Sequence, residues 1–122
     1  MHVHTLDHIV LNCADVETSL AWYTERIGLV GDRVDEWRTG EVPFPSVRIN
    51  DHVLIDLFDG PHDGTNLNHF CLVVDRADVD RVVDDPAFEV VDGPGDRYGA
   101  RGRGWSVYVR DPDGNIVELR SY

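Results

Sequence analysis

The sequence predicts an α+β fold built from two tandem βαβββ modules, and three observations lead to it. Strand-like runs of period two are interrupted by only two helical patterns. The first half of the chain reads strand, helix, strand, strand, strand, and so does the second. Short segments also recur between the halves: LDH at 6–8 returns as LNH at 67–69, ADVE at 14–17 as ADVD at 77–80, and IDL at 55–57 as VEL at 117–119, at offsets of 61, 63 and 62 residues. Three matches in one order at nearly one offset mark a duplication, with module 1 over about 1–60 and module 2 over about 66–122 of a single domain.

Each element follows from its own stretch. In TLDHIVLNCA apolar and polar positions alternate, as in a half-buried strand. Asp15 is an N-cap for a helix whose apolar stripe is Val16, Leu20, Tyr23 and Ile27 and which ends at Gly28. Tyr23 and Trp22 on it read as buried. LVGDRVDEWR, FPSVRIN and VLIDLF read as three strands, separated by TGEVPFP and by a tight turn at Asn50-Asp51. After the polar connector DGPHDGTN, LNHFCLVVD is a strand, RADVDRVVDD a short helix ended by Pro86, and FEVVDG a strand. WSVYVRDPDGNIVELRSY makes two strands around a turn on Pro112 and Gly114. GDRYGARGRGW, residues 95–105, reads as a flexible Gly and Arg loop.

Bulk properties narrow the function. With 122 residues, 42% apolar and 9% aromatic, the chain can bury one core. No apolar run of about 18 residues exists to cross a bilayer, and MHVHTLDHIV lacks the features of a signal peptide, so the expectation is a cytoplasmic protein without a membrane partner. Cys13 and Cys71 fit no zinc-knuckle spacing and read as buried thiols. A net charge of -12 excludes nucleic acid as a partner, because phosphate contacts need clustered cations. All 11 basic residues are Arg and Asp dominates the acids, which makes an anionic shell.

Superposing the two copies aligns polar residues that interrupt apolar strands. His8 matches His69 in the first strand of each copy, and Asp56 matches Glu118 in the last. Leu6, His8 and Val10 share one face by parity, as do His69, Cys71 and Val73, and Ile116, Glu118 and Arg120. A carboxylate among apolar neighbours is costly unless it is paired or bound to a cation. Two imidazoles with one or two carboxylates suit one divalent transition metal: Zn, Ni, Co, Mn or Fe. Metal ligands are therefore expected at His8, His69 and Glu118, with Asp56 binding directly or through water. If Asp56 reaches only through water, the other three make a two-His, one-carboxylate triad.

The stretches LDHIVLNCADVETSLAWYTERIGL, LNHFCLVV and GARGRGWSVYVRDPDGNIVELRSY together resemble the vicinal oxygen chelate superfamily, which holds glyoxalase I, extradiol dioxygenases, fosfomycin-resistance enzymes, methylmalonyl-CoA epimerase and bleomycin-binding proteins. The resemblance covers almost the whole chain, and DPDGN with Glu118 close behind it is its most specific part. It implies paired βαβββ modules forming a cup-shaped mixed sheet, metal ligands at His8, His69 and Glu118, and a homodimer. Asp56 falls where glyoxalase I carries a Glu ligand that also takes part in proton transfer.

What the resemblance implies is a divalent-metal enzyme acting on a small-molecule substrate with two adjacent oxygens. Glyoxalase I-like lyase or isomerase chemistry comes first because all four positions carry ligand-type residues, and Glu118 and Asp56 are then the catalytic candidates. A ring-cleaving extradiol-type dioxygenase is the alternative, and an antibiotic-sequestering binding protein is the rival without catalysis. For substrate contacts, Tyr98, Arg101 and Arg103 are candidates to close over an anionic substrate, and Arg48 and Arg120 to face the cup.

Overall fold

The computed structural model describes every residue except 27, 65, 111–113 and 115. Ile27 of the first helix stripe and Pro112 of the DPDGN turn therefore lie outside the described residues. Among the described residues the class is α+β, as expected: eight strands in mixed pairing with a few short helices. No helix among them is long and apolar enough to cross a membrane. The chain forms two compact units, Met1–His8 with His69–Tyr122, and Ile9–Asn68. The first strand, β1 (Thr5–Cys13), contributes its opening residues to the former and its remainder to the latter.

In the unit Ile9–Asn68, α1 (Val16–Ala21) begins where predicted, with the Asp15 side chain accepting from Thr18 N at 2.8 Å. It opens into a π-helical turn over Trp22–Arg26. Thr24 supplies the reason: its Oγ1 donates to Leu20 O at 2.9 Å, competing with the backbone for that carbonyl. Trp22, expected in the core, is 51% exposed and lies edge-on to Tyr23.

The predicted strand LVGDRVDEWR is corrected to a short β2 (Val30–Asp32) followed by α2 (Val34–Arg38). Arg33 causes the switch, since its φ of 57° takes the chain out of extended conformation. Val34 and Trp37, three apart on α2, then pack on the cluster of Cys13, Val16, Leu20, Val47 and Leu57. Antiparallel β3 (Ser46–Arg48) and β4 (Leu54–Asp59) complete the unit, joined by the expected tight turn in which Asn50 Oδ1 accepts from the His52 and Val53 amides.

The other unit carries β5 (Leu67–Val73) from its His69 onward, α3 (Arg76–Val82), β6 (Glu89–Gly99), β7 (Gly102–Arg110) and β8 (Ile116–Ser121). Its strand order is β5-β8-β7-β6, with β5 and β8 parallel and the other pairs antiparallel. Helix α3 covers one face, where Val74, Val79, Val82, Val107, Val109 and Leu119 form the apolar cluster. The flexible loop expected at 95–105 is instead a hairpin. Gly99 pairs with Gly102 and Tyr98 with Arg103, and the tip is Ala100-Arg101. The Gly-rich pattern hid the strand because Gly carries no side chain to show alternation.

Candidate metal centre

The β5-β8-β7 sheet has two chemically different faces. Leu72 lies opposite Leu119, and Leu119 opposite Val107, on the side that packs against α3. One residue along, Cys71 faces Glu118, Glu118 faces Tyr108, and Arg120 faces Ser106, so the second side is polar.

On that side three side chains of one unit converge. His8 Nε2 lies 3.3 Å from His69 Nε2, and each of these nitrogens lies 3.1 Å from Glu118 Oε2. His8 and Glu118 are 2% and 0% exposed, whereas the His69 side chain keeps 12%, so the cluster is sealed on one side and accessible at His69. Burial would raise the Glu118 carboxyl, but the hydrogen bonds of His69 and His8 and the charges of His8 and Arg120 outweigh it and hold the group well below the usual carboxylate range. Among the described residues Glu118 Oε1 has no hydrogen-bond partner, and it sits 3.3 Å from Arg120 Nη1.

The surroundings of the triad were not anticipated. Asp7, fully buried, places Oδ2 at 2.7 Å from His8 Nδ1. Tyr108 stands edge-on to His69 with ring centroids 5.3 Å apart, and burial together with the charge of Glu118 pushes its phenol well above the ordinary range. Cys71, also buried, has its thiol pushed up by burial and by the charges of Glu118 and Asp7, so it stays protonated. Asp7, His8 and Cys71 are a second cluster of possible ligand side chains, but a protonated thiol is a poor one.

Asp56 belongs to the other unit and is fully buried there. It lies opposite Ser46 across β3 and β4, and its Oδ1 accepts from Ser46 Oγ at 2.5 Å and from Arg33 Nη2 at 3.3 Å. Arg48 bonds to Asp32 at 2.8 Å and donates from Nη1 to the Asn50 and Asp51 carbonyls. Arg120, expected to face substrate, is buried and donates to the Tyr98 and Arg97 carbonyls at 2.9 and 2.7 Å. Arg103 stacks over Tyr98 at 4.7 Å and bonds to Asp96 at 2.6 Å, and Arg101 lies over the Tyr122 ring at 4.2 Å. Arg103, Tyr98 and Asp96 are thus engaged with one another on the hairpin, and Arg101 with Tyr122.

Three residues of this region, Asp7, Tyr108 and Tyr122, escaped the sequence reading. Tyr108 was within reach, since it shares parity with Ser106 on β7 and needed only the β7–β8 register. Asp7 was not: alternation puts neighbouring residues on opposite faces, yet Asp7 and His8 are both buried and in contact.

Comparison with known proteins identifies the family of the chain and relatives of its fold. A sequence profile of the Glyoxalase/Bleomycin resistance protein/Dioxygenase superfamily matches residues 5–119. A glyoxalase domain-containing protein, RDO1, of Mycosarcoma maydis is 34% identical over 126 aligned positions, which cover all of this chain and 70% of that protein. Virulence protein STM3117 of Salmonella typhimurium is 30% identical, covering all of this chain and 87% of that protein. Among solved structures, methylmalonyl-CoA epimerase from Mycobacterium tuberculosis has a TM-score of 0.66 at 16% identity, covering 98% of this chain and 88% of the epimerase, a likeness of fold.

Proposed function

Because the chain belongs to the glyoxalase/bleomycin resistance protein/dioxygenase superfamily, we propose that it is an enzyme holding one divalent transition metal on His8, His69 and Glu118 and acting on a small substrate with two adjacent oxygens. The observation that carries this reading is the approach of His8 Nε2, His69 Nε2 and Glu118 Oε2 to within 3.3 Å of one another. The donor set fits the group. Two imidazole nitrogens and one carboxylate oxygen suit Fe(II), Zn, Ni, Co or Mn, and a buried carboxylate whose Oε1 lacks a hydrogen bond gains from a cation at Oε2. When bound, the metal would supply Lewis acidity to both substrate oxygens.

The chain's own residues supply the rest. His69 is the partly exposed member, so substrate arrives on its side. Tyr108 keeps its proton and offers a hydroxyl donor beside Glu118 for a substrate oxygen that gains charge. The carboxylates bear on the reaction class. A lyase or isomerase of the glyoxalase I type needs a carboxylate to carry a proton. Glu118 is held strongly acidic, and Asp56 Oδ1 is engaged by Ser46 and Arg33. Three ligands with open positions is the arrangement of iron(II) oxygenases. The reading therefore moves to a ring-cleaving dioxygenase acting on vicinal diols, with the glyoxalase-like lyase second, supported by the ligand-type carboxylate at Asp56. A cytoplasmic homodimer completes it, with Trp22, Val30 and Ile49 as exposed apolar side chains for a second copy to cover.

The test is metal content by elemental analysis of tag-free protein, wild type beside His69→Ala and Asp56→Asn, followed by oxygen uptake with catechols after anaerobic iron(II) loading. The expected result is about one metal per chain, lost in His69→Ala and retained in Asp56→Asn, with catechol-dependent oxygen consumption. Turnover of a 2-oxoaldehyde hemithioacetal without oxygen uptake would select the lyase. Absence of metal binding after reconstitution would overturn the enzyme reading in favour of a binding protein.

A further inference from the structure

We propose that Asp7 and Tyr122 are positioning residues that preset the ligating nitrogen of His8. The inference rests on the triad reading but is carried by different atoms. Asp7 is 0% exposed, and a carboxylate so deeply placed is tolerated only when its lone pairs are filled. Separate segments fill them. The Ala100 amide, at the tip of the β6–β7 hairpin, donates to Oδ2 at 3.0 Å, and the Tyr122 hydroxyl, just beyond β8, donates to Oδ1 at 2.6 Å. His8 Nδ1 stands 2.7 Å from Oδ2.

Tyr122 is itself fixed at both ends. Its hydroxyl oxygen accepts from the Arg101 amide at 3.0 Å, which orients its proton toward Asp7. Its ring lies within 4.2 Å of the Arg101 guanidinium and 4.8 Å of that of Arg120.

The consequence is tautomeric. A carboxylate that already accepts from an amide and a phenol can only accept from His8, so Nδ1 carries the imidazole proton. With Nδ1 held by Asp7, Nε2 is the ring nitrogen aimed at His69 Nε2 and Glu118 Oε2 before any ion arrives. A carboxylate behind a ligating imidazole fixes ring orientation and raises ligand basicity. Here that carboxylate is sequence-adjacent to the ligand, and its own orientation depends on Tyr122, far along the chain.

The test reads the His8 tautomer directly, by nitrogen-15 NMR of the metal-free protein, beside Co(II) affinity and the Co(II) absorption spectrum. The variants are Asp7→Asn and Tyr122→Phe; the latter keeps the ring and removes one donor. In the wild type Nδ1–H is expected. Asp7→Asn, whose amide can donate to Nδ1, is expected to shift the proton to Nε2 and weaken Co(II) binding about 10- to 100-fold. Tyr122→Phe removes one of the bonds that orient the Asp7 carboxylate, so it should keep Nδ1–H but weaken binding by a smaller factor. If Asp7→Asn does not fold, Tyr122→Phe decides alone. Folded variants with unchanged tautomer and unchanged Co(II) affinity would overturn the proposal. A wild type with Nδ1–H and a tautomer shift in Asp7→Asn, but no metal binding, would uphold the positioning role while refuting the metal centre.

Discussion

Tyr108 and Glu118 lie directly opposite each other across antiparallel β7 and β8, so a phenol held protonated stands beside a carboxylate held ionised. Such a pair divides donor and acceptor roles. Tyr108→Phe is expected to leave metal stoichiometry unchanged while lowering kcat about 100- to 1000-fold, as for loss of a donor to developing charge. A rise in KM with kcat unchanged would show instead that the phenol contributes only to binding. Absorbance titration of the metal-free protein gives an independent check. Tyr108 and Tyr122 should stay protonated at pH 10, where an ordinary tyrosine is half ionised. The unfolded chain releases those protons first, so stability falls as pH rises above 10.

At the acid end the sign reverses. Asp7 and Glu118 have folded-state pKa values below their ordinary 3.8 and 4.5, so the folded state binds protons less readily than the unfolded chain. Their contribution is present above the ordinary carboxylate range and is lost as pH falls below it. Denaturant midpoints of metal-free protein between pH 6 and pH 3, about one to two pH units either side of that range, should decline, and Glu118→Gln should flatten the decline. An equal slope in the variant would place the acid sensitivity elsewhere.

Arg33 and Asp56 form a buried pair, with the Asp56 side chain 1% exposed and the Arg33 side chain 17%. Removing Arg33 leaves the buried Asp56 charge with less compensation. Arg33→Ala should therefore cost about 3–5 kcal/mol, reduced by whatever exposure the site gains. The double variant Arg33→Ala, Asp56→Asn should recover a large part of that loss, because both charges are gone. Additive losses in urea denaturation would mean that the two residues act independently.

Gly99 tests the packing behind the site. A Cβ there would collide with the Arg120 guanidinium and come within 2.6 Å of the Tyr122 hydroxyl. Arg120 cannot retreat, because it is fully buried and bonded to two carbonyls. Gly99→Ala should cost about 1–3 kcal/mol by overpacking. It should also weaken metal binding, since Tyr122 touches Asp7. Gly99 is not among the glycines of positive φ, so the loss would report crowding and not the left-handed strain that Gly40→Ala, at φ 81°, would add.

Local pattern was enough for much of the fold. Alternation in TLDHIVLNCA and LNHFCLVV marks two strands because half-buried strands expose every second side chain. Asp15 signals a helix start through its short polar side chain, and the recurrence of LDH, ADVE and IDL exposes the duplication. Pattern failed where backbone geometry decides. VDEWR is a poor strand and a fair helix, and only the left-handed turn at Arg33 selects the helix. GDRYGARG lacks the side chains that would reveal a strand.

What the sequence determined by itself is the α+β class, the recurring short segments, and the polar interruption of apolar strands at His8, His69, Asp56 and Glu118. Those follow from short-range periodicity and from the cost of burying charge. The tertiary structure decided which of them meet. It set His8, His69 and Glu118 within 3.3 Å, gave Asp56 to Ser46 and Arg33, and turned Arg120 toward backbone carbonyls. It also placed Asp7 between His8 and Tyr122, 115 residues from Asp7 along the chain. The physical reason is range. Side-chain spacing along a strand is fixed by its own backbone, whereas contacts across strands depend on register and twist, which the whole sheet settles together.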